Sequence, residues 1–281
     1  MVAYTSFDSF LLFGDSITQF SFDVNDRGWA AQLANVFQRR LDIINRGFSG
    51  YTSEQALHLL PQLLPLTTTA TSHTPTPAHP KIQFLTIFFG ANDSSLPPSM
   101  QHTPLARYEA NLRALIDMVH SPASPTYSPF TRIILICPPP MNEAPWAVEC
   151  QLRGMPMNRD KDVTKVYAET CLRVGKEYSG RRGSKGGELC QVDVIDTWGI
   201  MMAKVEAGDC GLTDLLRDGV HLAGVGNDVI FEEIMKIVRT KYPAWDPATM
   251  LMHGPWWRQL DIDHPETDLL ICANKPPTPI V

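Results

Sequence analysis

The sequence lacks the marks of several protein classes. No Cys-x-x-Cys pair occurs, and the six cysteines are scattered at positions 137, 150, 171, 190, 210 and 272. Zinc modules and thioredoxin-like motifs are therefore not expected, and the pattern reads as mostly reduced thiols in a cytosolic-type protein. The eight histidines show no His-x-x-x-His spacing, so neither a metal site nor a metal hydrolase is expected. No apolar run approaches the length needed to cross a bilayer. Met1-Val2-Ala3-Tyr4-Thr5 carries no basic flank. The apolar run behind it leads straight into a turn, which predicts a strand and not a cleaved signal. An excess of positive charge is also missing. The formal net charge of −6 argues against nucleic acid or an anionic membrane as the main partner. There is no internal repeat, and only the last stretch of chain differs in composition from the rest.

What is present is ample material for one core: 281 residues with 44% hydrophobic content. Ser9 to Phe13 is an apolar run that predicts a buried strand. It ends in Gly14-Asp15-Ser16-Ile17-Thr18, a sharp turn in which Gly14 permits unusual backbone angles and Asp15, Ser16 and Thr18 can bond the backbone. Apolar residues at helical spacing predict a helix over Gly28 to Arg40. A short second strand, Leu41 to Asn45, runs into the glycine-rich turn Asn45 to Gly50. Thr52 or Ser53 can cap the next helix, which runs to about Leu64. Pro65 to Pro80 reads as an exposed, Thr/Pro-rich loop. Ile82 to Phe89 is a third strand, apolar throughout as in a sheet covered on both faces, and it ends in Gly90-Ala91-Asn92-Asp93. A helix is predicted over Leu105 to His120, and a fourth strand over Arg132 to Cys137, stopped by Pro138-Pro139-Pro140. Met141 to Arg159 has no clear periodicity and predicts a lid or pocket wall. Asp160 to Tyr178 is a long helix, Gly180 to Gly187 a basic loop, and Val192 to Asp196 a fifth strand. A last helix spans about Gly226 to Lys241. This alternation predicts an α/β protein with a five-stranded parallel sheet and helices on both faces.

Strand ends of a parallel sheet share one edge, so Ser16, Gly50 and Asn92 can converge there. Acyl transfer needs such convergence. Ser16 would supply the attacking oxygen, while its own N–H, that of Gly50 and the Asn92 amide would face the developing oxyanion. His221 is the candidate base. Asp218 lies three residues earlier and would orient the imidazole from the same side of a helical turn. Each residue also has a plainer reading: an ordinary turn serine, a turn-ending glycine, a turn-forming asparagine, a structural or exposed histidine, a helix-capping aspartate. Their order and their placement at strand ends carry the case.

Four blocks resemble those of the SGNH hydrolases, or GDSL-type esterases. They are Gly14-Asp15-Ser16-Ile17, Gly47-Phe48-Ser49-Gly50, Gly90-Ala91-Asn92-Asp93 and Asp218-Gly219-Val220-His221. The wider wording is similar to isoamyl-acetate-hydrolysing esterases. The resemblance implies a flavodoxin-like three-layer α/β/α sandwich, catalytic Ser16, Asp218 and His221, and an oxyanion hole of Ser16, Gly50 and Asn92. It implies no cofactor. Ile17 stands where the family has leucine, a volume-conserving change. The expected activity is a serine esterase acting on small carboxylic esters, including acetates of short or medium alcohols. A lipase, thioesterase or carbohydrate acetylesterase could use the same apparatus. A flavodoxin-like module binding flavin or nucleotide is disfavoured, because the first turn is not a glycine-rich phosphate loop.

Two segments lie outside the motifs. Trp146, Met141 and Met155 follow the fourth strand and are candidates for the pocket wall. The boundaries expected are a catalytic domain over residues 1–242 and an extension over 243–281. That extension keeps Trp245, Met250, Trp256 and Trp257, too apolar for a free end. It is expected to pack on its own domain or on a second subunit, which leaves a homodimer open.

Overall fold

Five strands form one parallel sheet in the order β2-β1-β3-β4-β5: β1 Ser9–Gly14, β2 Asp42–Gly47, β3 Ile82–Phe88, β4 Arg132–Ile136 and β5 Val192–Ile195. The structure, a computed structural model, describes residues 7–66, 80–179, 191–254 and 256–264. The first six residues, most of the Thr/Pro-rich loop, the basic loop and the chain beyond 264 lie outside that range. The helices are α1 Ser16–Gln19, α2 Trp29–Val36, α3 Ser53–Leu63, α4 Leu105–His120, α5 Glu143–Leu152, α6 Lys161–Tyr178, α7 Thr197–Glu206, α8 Leu212–Leu215 and α9 Gly224–Lys241.

The strands are apolar at successive positions because each face of the sheet is covered. Phe10, Leu12, Phe84, Ile134 and Ile136 turn to one side and pack with Leu33 of α2 and Ile230 and Ile234 of α9. Leu11, Phe13, Leu85, Ile87, Ile133 and Leu135 turn to the other and pack with Leu60 of α3, Leu112 of α4 and Cys171 of α6. The fold is therefore the three-layer α/β/α sandwich expected. Strand order reverses between β1 and β3, the place where doubly wound sheets open a crevice at their carboxyl edge.

Local chemistry sets the element ends. The Thr52 side chain caps α3, where Gln55 returns the bond in a capping box. Asp160 caps α6 by accepting the N–H groups of Asp162 and Val163. The helix expected to reach Arg40 stops at Val36, because Arg39 turns to φ +56° and reverses the chain. Met141 to Arg159, which shows no clear periodicity in the sequence, contains α5. Pro145 sits in that helix's first turn, where its missing N–H leaves no intrahelical bond unmade.

The start of the tail, through Trp245 and Met250, packs on its own domain. Tyr242 and Trp245 set their rings edge-on to Phe84, with centroids 5.6 and 6.0 Å away. The Arg132 guanidinium stacks against the same rings, 5.1 Å from Tyr242 and 5.2 Å from Trp245. Met250 packs on the α2/α9 side, and its carbonyl accepts a bond from Arg40 at 3.1 Å.

Candidate active site

Ser16 follows β1 directly, as the first residue of α1. The turn is tight: a Cβ on Gly14 would lie 2.1 Å from Thr18 Oγ1 and 2.6 Å from the Phe88 carbonyl. Gly14 is thus required for space, and not for the unusual backbone angles expected, since its φ is not positive. Asp15 Oδ1 caps the turn by accepting the Ile17 N–H at 2.9 Å. As the first residue of a helix, Ser16 has an N–H with no acceptor inside that helix.

His221 comes from the loop between α8 and α9. Its Nε2 lies 2.9 Å from Ser16 Oγ, and its Nδ1 lies 2.6 Å from Asp218 Oδ2. The other oxygen of Asp218 accepts the N–H groups of Val220 at 3.0 Å and His221 at 2.8 Å. Asp218 and His221 therefore do not share the helical turn that their spacing predicted. Gly219 has φ +93°, which breaks any helix there, and the loop closes through a bridge between Leu216 and Leu222. A Cβ on Gly219 would also lie 2.3 Å from the Asn142 carbonyl, so only glycine fits this bend. Burial pushes the Asp218 carboxyl up, but the His221 side chain and the backbone N–H groups outweigh it and hold the group down to about 2. The Phe20 ring meets the imidazole edge-on at 5.4 Å.

Gly50 follows β2 at φ +82°, and its carbonyl accepts a bond from Gln101 at 2.9 Å. Asn92 follows β3. Its Nδ2 donates to the Tyr51 carbonyl at 2.9 Å, and its Oδ1 accepts Arg159 Nη2 at 2.8 Å. Ser16, Gly50, Asn92 and His221 all line one cleft of about 780 Å³. Trp146 and Met155 line the same cleft. Met141 does not: it is buried behind Trp146 with Cys150 and Val220, because it precedes α5 and turns inward.

Several residues at the site escaped sequence reading. Met100, Pro97 and Leu96 also line the cleft. The Pro-Pro pair after the Asn92 turn marks a loop at the catalytic edge, a signal available in the sequence. Arg159 is buried, reaches the Ala91 carbonyl as well as Asn92, and holds its guanidinium 5.1 Å from the Trp146 ring. Burial pulls its pKa down to about 10, against the raising influence of Asp15, Asp93 and Asp218 nearby. Asp93 lies behind Asn92 and accepts Ser53 Oγ at 2.5 Å and Ser53 N at 3.0 Å. Burial pushes it up to about 6 despite these bonds. Burial also raises Asp15 to about 7, and its Oδ2 has no partner among the described residues.

Fold and site together define a doubly wound α/β protein with serine, histidine and aspartate hydrogen-bonded in series at the carboxyl edge of the sheet. Residues 12–179 match the GDSL-like Lipase/Acylhydrolase family, and the chain belongs to that family as an esterase or acylhydrolase. It is 36% identical over 262 residues to the isoamyl acetate-hydrolyzing esterase 1 homolog of Mus musculus, covering 92% of this chain and 91% of the relative. A GDSL esterase/lipase of Arabidopsis thaliana is 36% identical over 236 residues, 80% of this chain and 83% of that one. Among solved structures, an acetylxylan esterase of Geobacillus stearothermophilus shares the fold. Its TM-score is 0.53 at 18% identity, over 84% of this chain and 95% of that one. Among the described residues no helix is long and apolar enough to cross a membrane.

Proposed function

We propose that the protein is a serine esterase that cleaves small carboxylic esters, acetates of short and medium alcohols among them, through an acyl-enzyme on Ser16. The observation that carries this reading is the linear chain from Ser16 Oγ to His221 at 2.9 Å and on to Asp218 at 2.6 Å. With its Nδ1–H donated to Asp218, the imidazole presents an unprotonated Nε2 to the serine hydroxyl. Ser16 Oγ attacks the acyl carbon while Nε2 takes its proton. The carbonyl oxygen becomes an oxyanion, met by the N–H groups of Ser16 and Gly50 and by Asn92 Nδ2. An amide nitrogen carries two hydrogens, so Asn92 can keep its bond to Tyr51 while donating the other. The intermediate collapses as His221 returns the proton to the leaving alcohol. Water then attacks the acyl-enzyme by the same route, releasing the acid and restoring Ser16.

The cleft supports the choice of ester. Leu96, Pro97, Met100, Met155 and Met157 present an apolar surface that suits an aliphatic alcohol better than a sugar. The relatives named for isoamyl acetate hydrolysis point the same way. The test is turnover by wild type and Ser16→Ala on isoamyl acetate and on a p-nitrophenyl ester series of increasing acyl length. Wild type should favour acetyl and other short acyl groups. Ser16→Ala should lose turnover on every ester while melting as wild type does. Near wild-type rates from Ser16→Ala would remove the nucleophile. A steady rise in rate toward long acyl chains would replace the small-ester reading with a lipase.

A further inference from the structure

We propose that Arg159 is a positioning residue for ester hydrolysis: its guanidinium fixes which end of the Asn92 amide faces the oxyanion. The inference rests on the oxyanion role given to Asn92 above.

The geometry that leads to it begins with the chain path. The segment between α5 and α6 runs beneath the end of β3, where the Asn158 carbonyl accepts the Leu96 N–H at 2.7 Å. Arg159 follows, and Asp160 then caps α6. The Arg159 side chain is thereby directed inward and is 5% exposed. One arm of its fork meets the Ala91 carbonyl and the other meets Asn92 Oδ1 at 2.8 Å. The Trp146 ring lies 5.1 Å from the guanidinium carbon, and that ring is fixed by its own bond to Asn158 Oδ1 at 3.0 Å. The guanidinium is held between the β3 turn and the pocket wall.

An amide's oxygen and nitrogen are nearly equal in size, so packing alone hardly distinguishes an Asn side chain from the same side chain turned over. Hydrogen bonding does. A guanidinium has donors only. Turning Asn92 over would set Nδ2 against Arg159, donor to donor. It would also set Oδ1 against the Tyr51 carbonyl and toward the position of the oxyanion. Arg159 therefore holds the amide with its N–H groups toward the cleft. The bond it donates is charge-assisted and draws electron density toward Oδ1, which makes Nδ2–H a stronger donor. Arg159 borders the cleft as well, but it does this through its bond to Asn92 Oδ1. A lysine would keep the charge but not the planar fork that engages the Ala91 carbonyl and Asn92 Oδ1 together.

A purely structural arginine would serve only to balance Asp15 and Asp93, so the test must separate the two roles. The proteins are wild type, Arg159→Lys, Asn92→Ala and the double variant, each measured for kcat, KM and melting temperature on one acetate ester. Arg159→Lys should lower kcat about ten- to a hundredfold with KM within about threefold, a part of what loss of the whole donor costs. In the Asn92→Ala background the same change should lower kcat less than about threefold, because there is no amide left to orient. Arg159→Met fills the space without charge and supplies the same cycle should the lysine variant fail to fold. An equal fold-loss in both backgrounds overturns the inference, as does a rise in KM with kcat unchanged. If Asn92→Ala alone turns over at the wild-type rate, the oxyanion reading has failed and the inference falls with it. A large loss in Asn92→Ala combined with equal losses from Arg159→Lys in both backgrounds overturns the inference alone.

Discussion

Replacing Asp218 with asparagine probes the proposed mechanism with little change of shape. The carboxylate accepts bonds from the His221 ring and from the N–H groups of Val220 and His221. An asparagine keeping its Oδ1 toward the backbone retains both main-chain bonds, so the loop should still close. The remaining contact, 2.6 Å to His221 Nδ1, reverses its sense because an NH2 group now faces the ring. Nδ1 must then accept, the proton moves to Nε2, and Nε2 no longer takes the proton from Ser16. In serine–histidine systems the wrong tautomer costs about 10⁴-fold in kcat, or about 5.5 kcal/mol of transition-state stabilisation. The stability cost is smaller, about 1.5–3 kcal/mol for one hydrogen bond to a charged group. The measurement is kcat on an acetate ester beside denaturant unfolding of both proteins. A variant within tenfold of wild type in kcat would refute the role of Asp218. The acid limb provides a check. The folded pKa of Asp218 is depressed to about 2, so its contribution to stability is present above the ordinary carboxylate range and lost as pH falls through about 2. The melting temperatures of wild type and Asp218→Asn should converge on approach to that pH.

Other outcomes follow from the same geometry. Asp15 is raised to about 7 by burial, against the Ile17 N–H and Arg159 and with Asp93. The folded state therefore keeps a proton that the unfolded chain releases near about 3.9, and stability falls as pH rises through that window. Asp15→Asn should gain in melting temperature relative to wild type from about pH 4 to pH 7 and not beyond; a constant difference would refute this. Met155 is half-exposed in the cleft wall, so Met155→Ala should reorder preference among alcohol chain lengths with little change in melting temperature. A uniform drop on every ester would place it outside the substrate path. Truncation after Tyr242 strips Trp245 and Met250 from the sheet and should cost about 2–4 kcal/mol, in the range of large side chains lost from a core. A chain that unfolds at the wild-type denaturant midpoint, with its sizing profile unchanged, would show that the tail contributes nothing.

The sheet was legible because both of its faces are covered, which makes every interior strand a continuous apolar run bounded by turn residues. The convergence of residues on the cleft was legible for a related reason. Three of them, Ser16, Gly50 and Asn92, end consecutive strands, and strand ends converge whatever the helices do. What sequence reading missed lies between elements. α5 was missed because Met141 to Arg159 shows no clear apolar periodicity, and Pro145 sits in its first turn. The helical turn expected between Asp218 and His221 fails on the single φ of Gly219. Arg159 could not be found by periodicity. Its importance depends on the segment after α5 passing under the β3 turn, a tertiary contact with no local signature. Met141 was misassigned because an apolar side chain near a cleft can face either into it or behind it.

The contact between Gly219 and Asn142 has a consequence for how this site can be varied. Asn142 precedes α5 and donates its N–H to the Gly219 carbonyl at 2.8 Å, while its own carbonyl leaves no room for a side chain at 219. The cleft wall built on α5 and the loop that presents His221 are thus fastened to each other. Insertions or repacking along α5 would displace the imidazole along with the wall. The loop from Leu96 to Met100 also lines the cleft; its Leu96 N–H bonds the Asn158 carbonyl, and among the described residues it makes no comparable attachment to the His221 loop. A library meant to test the proposed range of esters should diversify Pro97 to Met100 and leave α5 fixed, because a change of shape there does not carry the His221 imidazole with it.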